Sequence, residues 1–343
     1  MKNVCFMCLM LLVIFCSITC KSAAIEAESQ KGGKIGKVSS PAEFKPPKAK
    51  KITVKNDSIT IDIYARDFAQ GNIIYLECYA NNEKDDDFRV NKIIYGSSNI
   101  AATKKSWGFR AFLPIATDAA LGNKSIDLQY KLNGDNLTAS VNFTVTETKF
   151  PVSKTPLDLG KYSNRTTDTK PEVLAFIKES KKKKDEAFAS REKDLIENNF
   201  SHPRDIHYLT SPFWSKRVYQ NYKINKKGKR EYLKPSENIH RGTDFRGVMG
   251  APVYAMADGK IVLADLLYYE GNMILIDHGN KFFSYYMHMS ALDVKKGDMV
   301  KAGDTIGKVG STGISTGAHL HVSMLVNYVH VDPLSLLSLP VRD

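Results

Sequence analysis

The chain has 343 residues, 43% apolar and 25% charged, and a formal net charge of +12. This length can bury more than one core and the composition is that of a globular protein, which excludes a non-globular chain and leads to an expectation of two domains with linkers. The positive balance favours anionic partners such as nucleic acid, membrane or cell-wall polymer, and does not choose among them.

The first two dozen residues bear on the compartment. Lys2 precedes an apolar run from Val4 to Ile18 that ends in small and polar residues, the pattern of a secretory signal. Ser22-Ala23-Ala24 fits a small-x-small cleavage site, and Ser17-Ile18-Thr19-Cys20 is an imperfect form of the box in which a bacterial lipoprotein cysteine is acylated. Both readings stand, one giving a soluble exported protein and the other a membrane attachment through a lipid on Cys20. An uncleaved anchor is disfavoured, because the run is shorter than the roughly 20 residues needed to span a bilayer. Cys5, Cys8, Cys16 and Cys20 all lie in this leader and only Cys78 lies in the body. That excludes a disulfide within the mature chain unless Cys20 survives unmodified, and it argues against a Cys-based zinc site or a thiol nucleophile. Cys78, in an alternating apolar stretch, reads as a small core residue.

Residues 25–50, rich in Lys, Gly, Ser and Pro, read as a flexible tether. From Lys51 the pattern changes to short alternating runs at Ile59 to Tyr64, Ile73 to Tyr79, Trp107 to Leu113 and Ser125 to Leu132, and Asn133-Gly134 turns the chain into Leu137 to Val145. Regular short strands over 51–148 lead to the expectation of an immunoglobulin-like β-sandwich. It carries no catalytic cluster, so spacing, docking or wall binding is its expected role. Residues 149–200 read as a helical linker. Its helix runs from Pro171 to Phe200, with Val173, Leu174, Phe176 and Ile177 on one side and Lys181 to Lys184 outside. Between Trp214 and Glu237 eight basic residues, Arg217 among them, are interleaved with Tyr219, Tyr222 and Tyr232. No groove-reading motif accompanies them and export argues against nucleic acid, so a loop over a cleft is the preferred reading.

Beyond Gly250 the chain reads as hairpins. Val253 to Ala257 turns at Asp258-Gly259 into Ile261 to Ala264, and Met273 to Ile276 turns near Gly279-Asn280 into Lys281 to His288. The turns Lys296-Gly297-Asp298 and Ala302-Gly303-Asp304 bracket Met299 and Val300. A β-rich domain with almost no helix is expected over 201–343, so the fold class is mainly β throughout.

This last region also carries the chemistry. In Thr312-Gly-Ile-Ser-Thr-Gly-Ala-His319-Leu-His321, two imidazoles stand two residues apart, a spacing that puts both on one face of a strand. His240-Arg-Gly-Thr-Asp244 offers a third imidazole and a carboxylate four apart, and Tyr286-Met-His288 a fourth imidazole expected to share a face with Tyr286. Nitrogen and oxygen donors of this kind suit zinc, and a catalytic zinc keeps about three protein ligands and an open position. Four His and one Asp are therefore more than the metal needs, which leaves imidazoles for proton transfer or oxyanion stabilisation. The His-Glu-x-x-His pattern is absent.

His240-Arg-Gly-Thr-Asp244-Phe, Tyr286-Met-His288-Met-Ser and Ser315-Thr-Gly-Ala-His319-Leu-His321 resemble the motifs of the lysostaphin/LytM-type zinc endopeptidases over roughly Ser211 to Leu337. Gly250-Ala-Pro-Val-Tyr-Ala, Ala257-Asp-Gly, Gly271-Asn272, Ile276-Asp-His-Gly279 and Gly310-Ser-Thr-Gly313 follow in the expected order. The resemblance implies one zinc per chain held by His240, Asp244 and His321, with His288 and His319 as catalytic histidines; spacing alone does not separate His319 from His321. Asn272, Tyr286 and Thr316 are candidate substrate contacts. The resemblance further implies hydrolysis of stem or cross-bridge peptides of bacterial peptidoglycan, in the periplasm or cell envelope, and no nucleic-acid partner. In two places the chain departs from the family pattern. The glutamate usual after the final histidine is replaced around Val322-Ser323, and Ala318 stands where proline is common. His278 is read as structural and His202, His207 and His330 as incidental. The rival readings are a non-catalytic amidase activator or wall-binding scaffold, against which the full site set counts, and a biotinyl- or lipoyl-type carrier, against which export and the histidines count.

Overall fold

The computed structural model describes residues 45–82, 87–164, 170–197 and 199–342; the leader and most of the tether lie outside these residues. Strands β1 (Lys50–Lys55), β2 (Ile59–Ala65), β3 (Ile73–Ala80), β4 (Arg89–Tyr95), β5 (Ser98–Ile100), β6 (Thr103–Lys105), β7 (Gly108–Pro114), β8 (Gly122–Leu132) and β9 (Asp135–Val145) form two antiparallel sheets, in the orders β1-β2-β3-β7-β6 and β5-β4-β8-β9. Period-2 alternation builds the core between them. Ile59, Ile61 and Ile63 of β2 and Ile74, Leu76 and Cys78 of β3 meet Ile126, Leu128 and Tyr130 of β8 and Val141 and Phe143 of β9. Cys78 is buried there, and burial pushes its thiol up to about 12, the state of an inert core residue. The β8–β9 turn has positive φ at both Asn133 (51°) and Gly134 (88°), the conformation that a two-residue hairpin needs and that these residues tolerate.

Strand β10 (Val152–Leu157) and helix α1 (Pro171–Phe188) follow. The helix stops at Phe188 and does not reach Phe200 as expected. From 189 the chain runs as a strap whose amides find tertiary partners: Leu195 N donates to His278 O (2.9 Å) and Glu197 N to Asp258 Oδ2 (2.8 Å). Nor do all four lysines point outward, since Lys183 pairs with Asp265 (2.7 Å) and Lys184 with Glu270.

The C-terminal half comprises β11 (Leu209–Ser211), β12 (Ser215–Tyr219), β13 (Tyr222–Ile224), β14 (Arg230–Tyr232), β15 (Ser236–His240), β16 (Thr243–Arg246), β17 (Pro252–Tyr254), β18 (Gly259–Leu267), β19 (Gly271–Gly279), β20 (Phe282–Met289), β21 (Ala291–Leu292), β22 (Met299–Val300), β23 (Thr305–Lys308), β24 (His319–Val326), β25 (Val329–Val331) and a short helix α2 (Pro333–Leu336). Its main sheet runs β11-β16-β24-β20-β19-β18-β22, with β25 on β24. The hairpin expected at Asp258-Gly259 does not form. Strand β17 pairs with β23 in a separate small sheet, while β18 pairs with β19 and β22. Asp258 sets this crossing: its two oxygens accept from Ala302 N (2.7 Å) and Glu197 N (2.8 Å), so the chain passes between sheets instead of folding back. The β19–β20 hairpin forms as expected.

The two halves share a core. Ile73 and Tyr75, on the other face of β3, join Ile274, Ile276, Phe282 and Tyr286 in one cluster, and the Phe112 ring lies 5.3 Å from Phe282. Across the same seam Arg110, 1% exposed, clasps Asp194 of the strap through Nε (2.8 Å) and Nη2 (2.9 Å). Asp194→Ala leaves a guanidinium buried without its counter-charge, so a loss of about 3–5 kcal/mol is expected in urea denaturation. A loss under about 1 kcal/mol, the value of a surface pair, would show that the seam does not depend on it.

Candidate metal centre

Three elements converge on one point. In the antiparallel pair β16–β24, Asp244 stands opposite His321, and β15 ends on His240, leaving Arg241 and Gly242 to make the corner into β16. A Cβ at Gly242 would overlap Ser323 Oγ, Val322 O and His321 Nε2, so only glycine lets the corner pass this close to β24. The result places His240 Nε2 3.0 Å from Asp244 Oδ1, His321 Nδ1 2.8 Å from the same oxygen, and the two nitrogens 2.9 Å apart. All three side chains are buried.

The outer ring nitrogens fix the protonation of the inner ones. His240 Nδ1 faces only an acceptor, Pro212 O at 3.2 Å, so it carries the proton and Nε2 keeps its lone pair. Ser323 gives its hydroxyl proton to Arg241 O (3.0 Å), so its oxygen accepts from His321 Nε2–H (2.8 Å) and His321 Nδ1 is the unprotonated nitrogen. Burial pushes His321 down to about 4. Asp244 is ionised, with its other oxygen paired to the Arg217 guanidinium. Two lone pairs and an anionic oxygen therefore face one another with no proton between them. Such a donor set fits a divalent cation such as zinc, with ring N–H groups anchored from behind in the manner of metal-ligating histidines. Arg217 of β12 takes the other carboxylate oxygen, Nη2 lying 2.5 Å from Asp244 Oδ2, and leaves Oδ1 for the centre.

His288 and His319 stand across from this triad, with ring centroids 4.9 Å apart. His288 was expected to share a face with Tyr286, and it does not. The β19–β20 register slips between Asn272/Met289 and Ile274/Tyr286, and His288 takes φ 65°, a bulge that swings it toward the cleft. His288 Nδ1 donates to Thr312 O (2.9 Å) and His319 Nδ1 to Gly317 O (2.8 Å), which leaves both Nε2 atoms as acceptors. His319 Nε2 is 3.8 Å from Asp244 Oδ1. Burial pushes His288 down to about 3, so it is a neutral base at rest.

A cleft of about 840 Å³ runs over these groups. Thr316 lines it. Asn272 and Tyr286 do not. The Asn272 amide donates to Met289 O (3.0 Å), and Tyr286 is fully buried, its hydroxyl accepting from Met256 N (2.8 Å), because the bulge leaves Tyr286 on the core face. In their place Tyr285 and Met287 line the cleft, as do Ser215, Arg217 and Tyr219 of β12. Strict alternation along Ser215–Tyr219 puts these last three on one face, a signal hidden when the stretch is read as a loop. His278 serves the frame, with Nδ1 2.7 Å from Asp258 O and Nε2 2.8 Å from Ser284 Oγ.

Residues 238–333 match the sequence profile of peptidase family M23. The chain carries an M23 peptidase domain. It is 36% identical over 129 residues to the peptidoglycan DD-endopeptidase ShyC of Vibrio cholerae, covering 37% of this chain and 28% of that protein. It is 50% identical over 91 residues to lysostaphin of Staphylococcus staphylolyticus, covering 26% of this chain and 19% of that one. The chain thus spans less than a third of the length of either relative. A putative M23 peptidase structure from Pseudomonas aeruginosa shares the fold over 79% of this chain and 96% of its own, with a TM-score of 0.53 and 22% identity. The lysostaphin/LytM-type resemblance of the motifs is borne out.

His240→Ala or Asp244→Ala in this M23 domain is expected to remove stoichiometric zinc, read by elemental analysis of the purified chain. Ser323→Ala, which strips His321 Nε2–H of its acceptor, is expected to weaken zinc by roughly 10–100-fold in chelator competition. Unchanged affinity would show that Ser323 does not orient the ligand.

Proposed function

We propose that this chain is a zinc metallopeptidase that hydrolyses peptide bonds in the stem or cross-bridge peptides of bacterial peptidoglycan, with one zinc held by His240, Asp244 and His321. The observation that carries the reading is the triad of unprotonated donors, His240 Nε2, Asp244 Oδ1 and His321 Nδ1, beside two further imidazoles whose Nε2 atoms are open to the cleft. When bound, zinc supplies Lewis acidity toward the scissile carbonyl and toward water.

The chain's own groups do the rest. Arg217 and Ser323 hold the ligands in one orientation. His288, neutral and fixed through Nδ1 by Thr312 O, takes a proton at Nε2 from the attacking water and returns it to the leaving amine, while His319, fixed by Gly317 O, donates to the developing oxyanion when it is protonated at Nε2. Thr316, Tyr285 and Arg217 stand along the walls of the cleft, where a peptide substrate would lie. The relatives' names supply the substrate class, peptidoglycan, and with it a site of action at the cell envelope. We further read residues 51–148 as an immunoglobulin-like sandwich that spaces or docks the peptidase region of 201–343.

Purified sacculi digested with the chain are expected to yield new peptide ends detectable by mass spectrometry, with chelator abolishing them. His288→Ala and His319→Ala are expected to lower turnover by about 10²–10⁴-fold while keeping zinc. Full activity in either variant, or zinc-loaded chain that leaves sacculi intact, would overturn the assignment.

A further inference from the structure

One border of the cleft is a strand that lies outside the residues matched to the M23 profile. Strand β10 pairs in parallel with β12 and, among the described residues, with no strand on its other side. Pro151, Val152 and Ser153 all line the cleft. Successive side chains of a strand leave from opposite faces, so three in a row meet one cleft along the strand's edge. That edge is the free one, since β12 occupies the other. Pro151 O accepts from Lys216 N (2.8 Å), and a trans peptide sends the N–H of Val152 the opposite way, off β12. Leu157 O likewise accepts from Gln220 N (2.8 Å), at an even spacing from Pro151, so Val152, Lys154 and Pro156 share the outward side. Pro156 agrees with this, because a strand tolerates proline where the missing N–H would face an open edge. Free edges pair with any extended chain and are commonly guarded by Lys or Pro. Here the guards, Lys154 and Pro156, stand off the cleft lining, while Val152, 61% exposed, is the outward residue that borders it.

We propose that the cleft takes its peptide as an added strand along the free edge of β10, with Val152 N–H donating to a carbonyl of the peptide and Val152 C=O accepting from one of its amides. That the added strand is a substrate rests on the peptidase reading of the cleft. A row of main-chain donors and acceptors complements another backbone, and such pairing gives affinity without reading side chains. Recognition at this border is therefore of an extended backbone with free amides. The same strand sets the neighbouring wall, because its pairing with β12 holds the stretch from which Ser215, Arg217 and Tyr219 face the cleft. Strand β10, which falls in the stretch expected to be a linker, is thus part of the substrate site.

The test compares the full chain with Val152→Pro, which removes the outward N–H and no bond to β12, and with Lys154→Pro, the same change on the same side of the strand but off the cleft. The probe is a synthetic cross-linked stem-peptide dimer; its binding is read in the zinc-loaded His288→Ala background and its hydrolysis in the parent background. Val152→Pro is expected to weaken binding by roughly five- to tenfold, the loss of one hydrogen bond, and to raise KM by the same factor with kcat and zinc content kept. Lys154→Pro is expected to match the parent. N-methylation of the dimer's backbone amides one at a time is expected to weaken binding to the unaltered strand most at a single position, the amide that meets Val152 C=O. Equal binding by Val152→Pro and the parent, equal loss in both proline variants, or indifference to N-methylation at every position overturns the proposal. Should Val152→Pro fail to fold, the N-methyl series decides alone. A chain that binds the dimer through Val152 yet leaves it and sacculi uncut sinks the peptidase reading alone; one that cuts the dimer with the same KM in all three forms sinks the added strand alone.

Discussion

His240 Nε2, Asp244 Oδ1 and His321 Nδ1 are held within about 3 Å of one another, a convergence of donors that one divalent cation would satisfy. The frame over-determines the positions. The β16–β24 register puts Asp244 against His321, Gly242 permits the tight corner, and Pro212 O and Ser323 Oγ take the outer N–H groups so that neither ring can present a proton inward. A cation held by these three donors would tie β15, β16 and β24 together, so affinity for metal and stability of this part of the fold would be coupled.

The second constraint is the bulge at His288. A regular β20 would send His288 to the core with Tyr286 and leave the cleft with one imidazole beside the triad. The slipped register costs a left-handed conformation at a non-glycine residue. Local hydrogen bonds hold it: His288 N donates to Glu270 O (2.9 Å), and the ring Nδ1 is tied to Thr312 O. The strain thus sits where the side chain is displaced toward the cleft, and the two β20 neighbours Tyr285 and Met287 line the same cleft.

Legibility in the sequence follows from how local each determinant is. Alternating Ile59, Ile61 and Ile63, the Asn133-Gly134 turn and the His240/Asp244 and His319/His321 spacings are local, and each led to the right element or to the right convergence. The end of α1 was not local. Helical propensity runs on past Phe188, but Asp258 and the His278 carbonyl offer the strap's amides better partners, 61 and 83 residues away. Asp258 likewise undid the hairpin that Asp258-Gly259 suggests, because its carboxylate is used by Ala302 and Glu197. Arg217 was hidden in a run of basic residues, and only its pairing in β12 with β15 shows that it points at Asp244.

Helix α1 lies outside the residues matched to the M23 profile, yet it is tied to the cleft. Lys184 pairs with Glu270, whose backbone carbonyl receives the His288 amide, and Ser180 Oγ accepts from Tyr268 N (3.0 Å) in the same β18–β19 turn. Phe188 packs edge-on against Tyr285 of the cleft wall, 6.0 Å between rings. The turn that holds the bulged histidine is therefore clamped from one side by its own sheet and from the other by the helix. The helix was expected to pack on one of the regions it joins, and it does so at the turn whose Glu270 carbonyl receives the His288 amide.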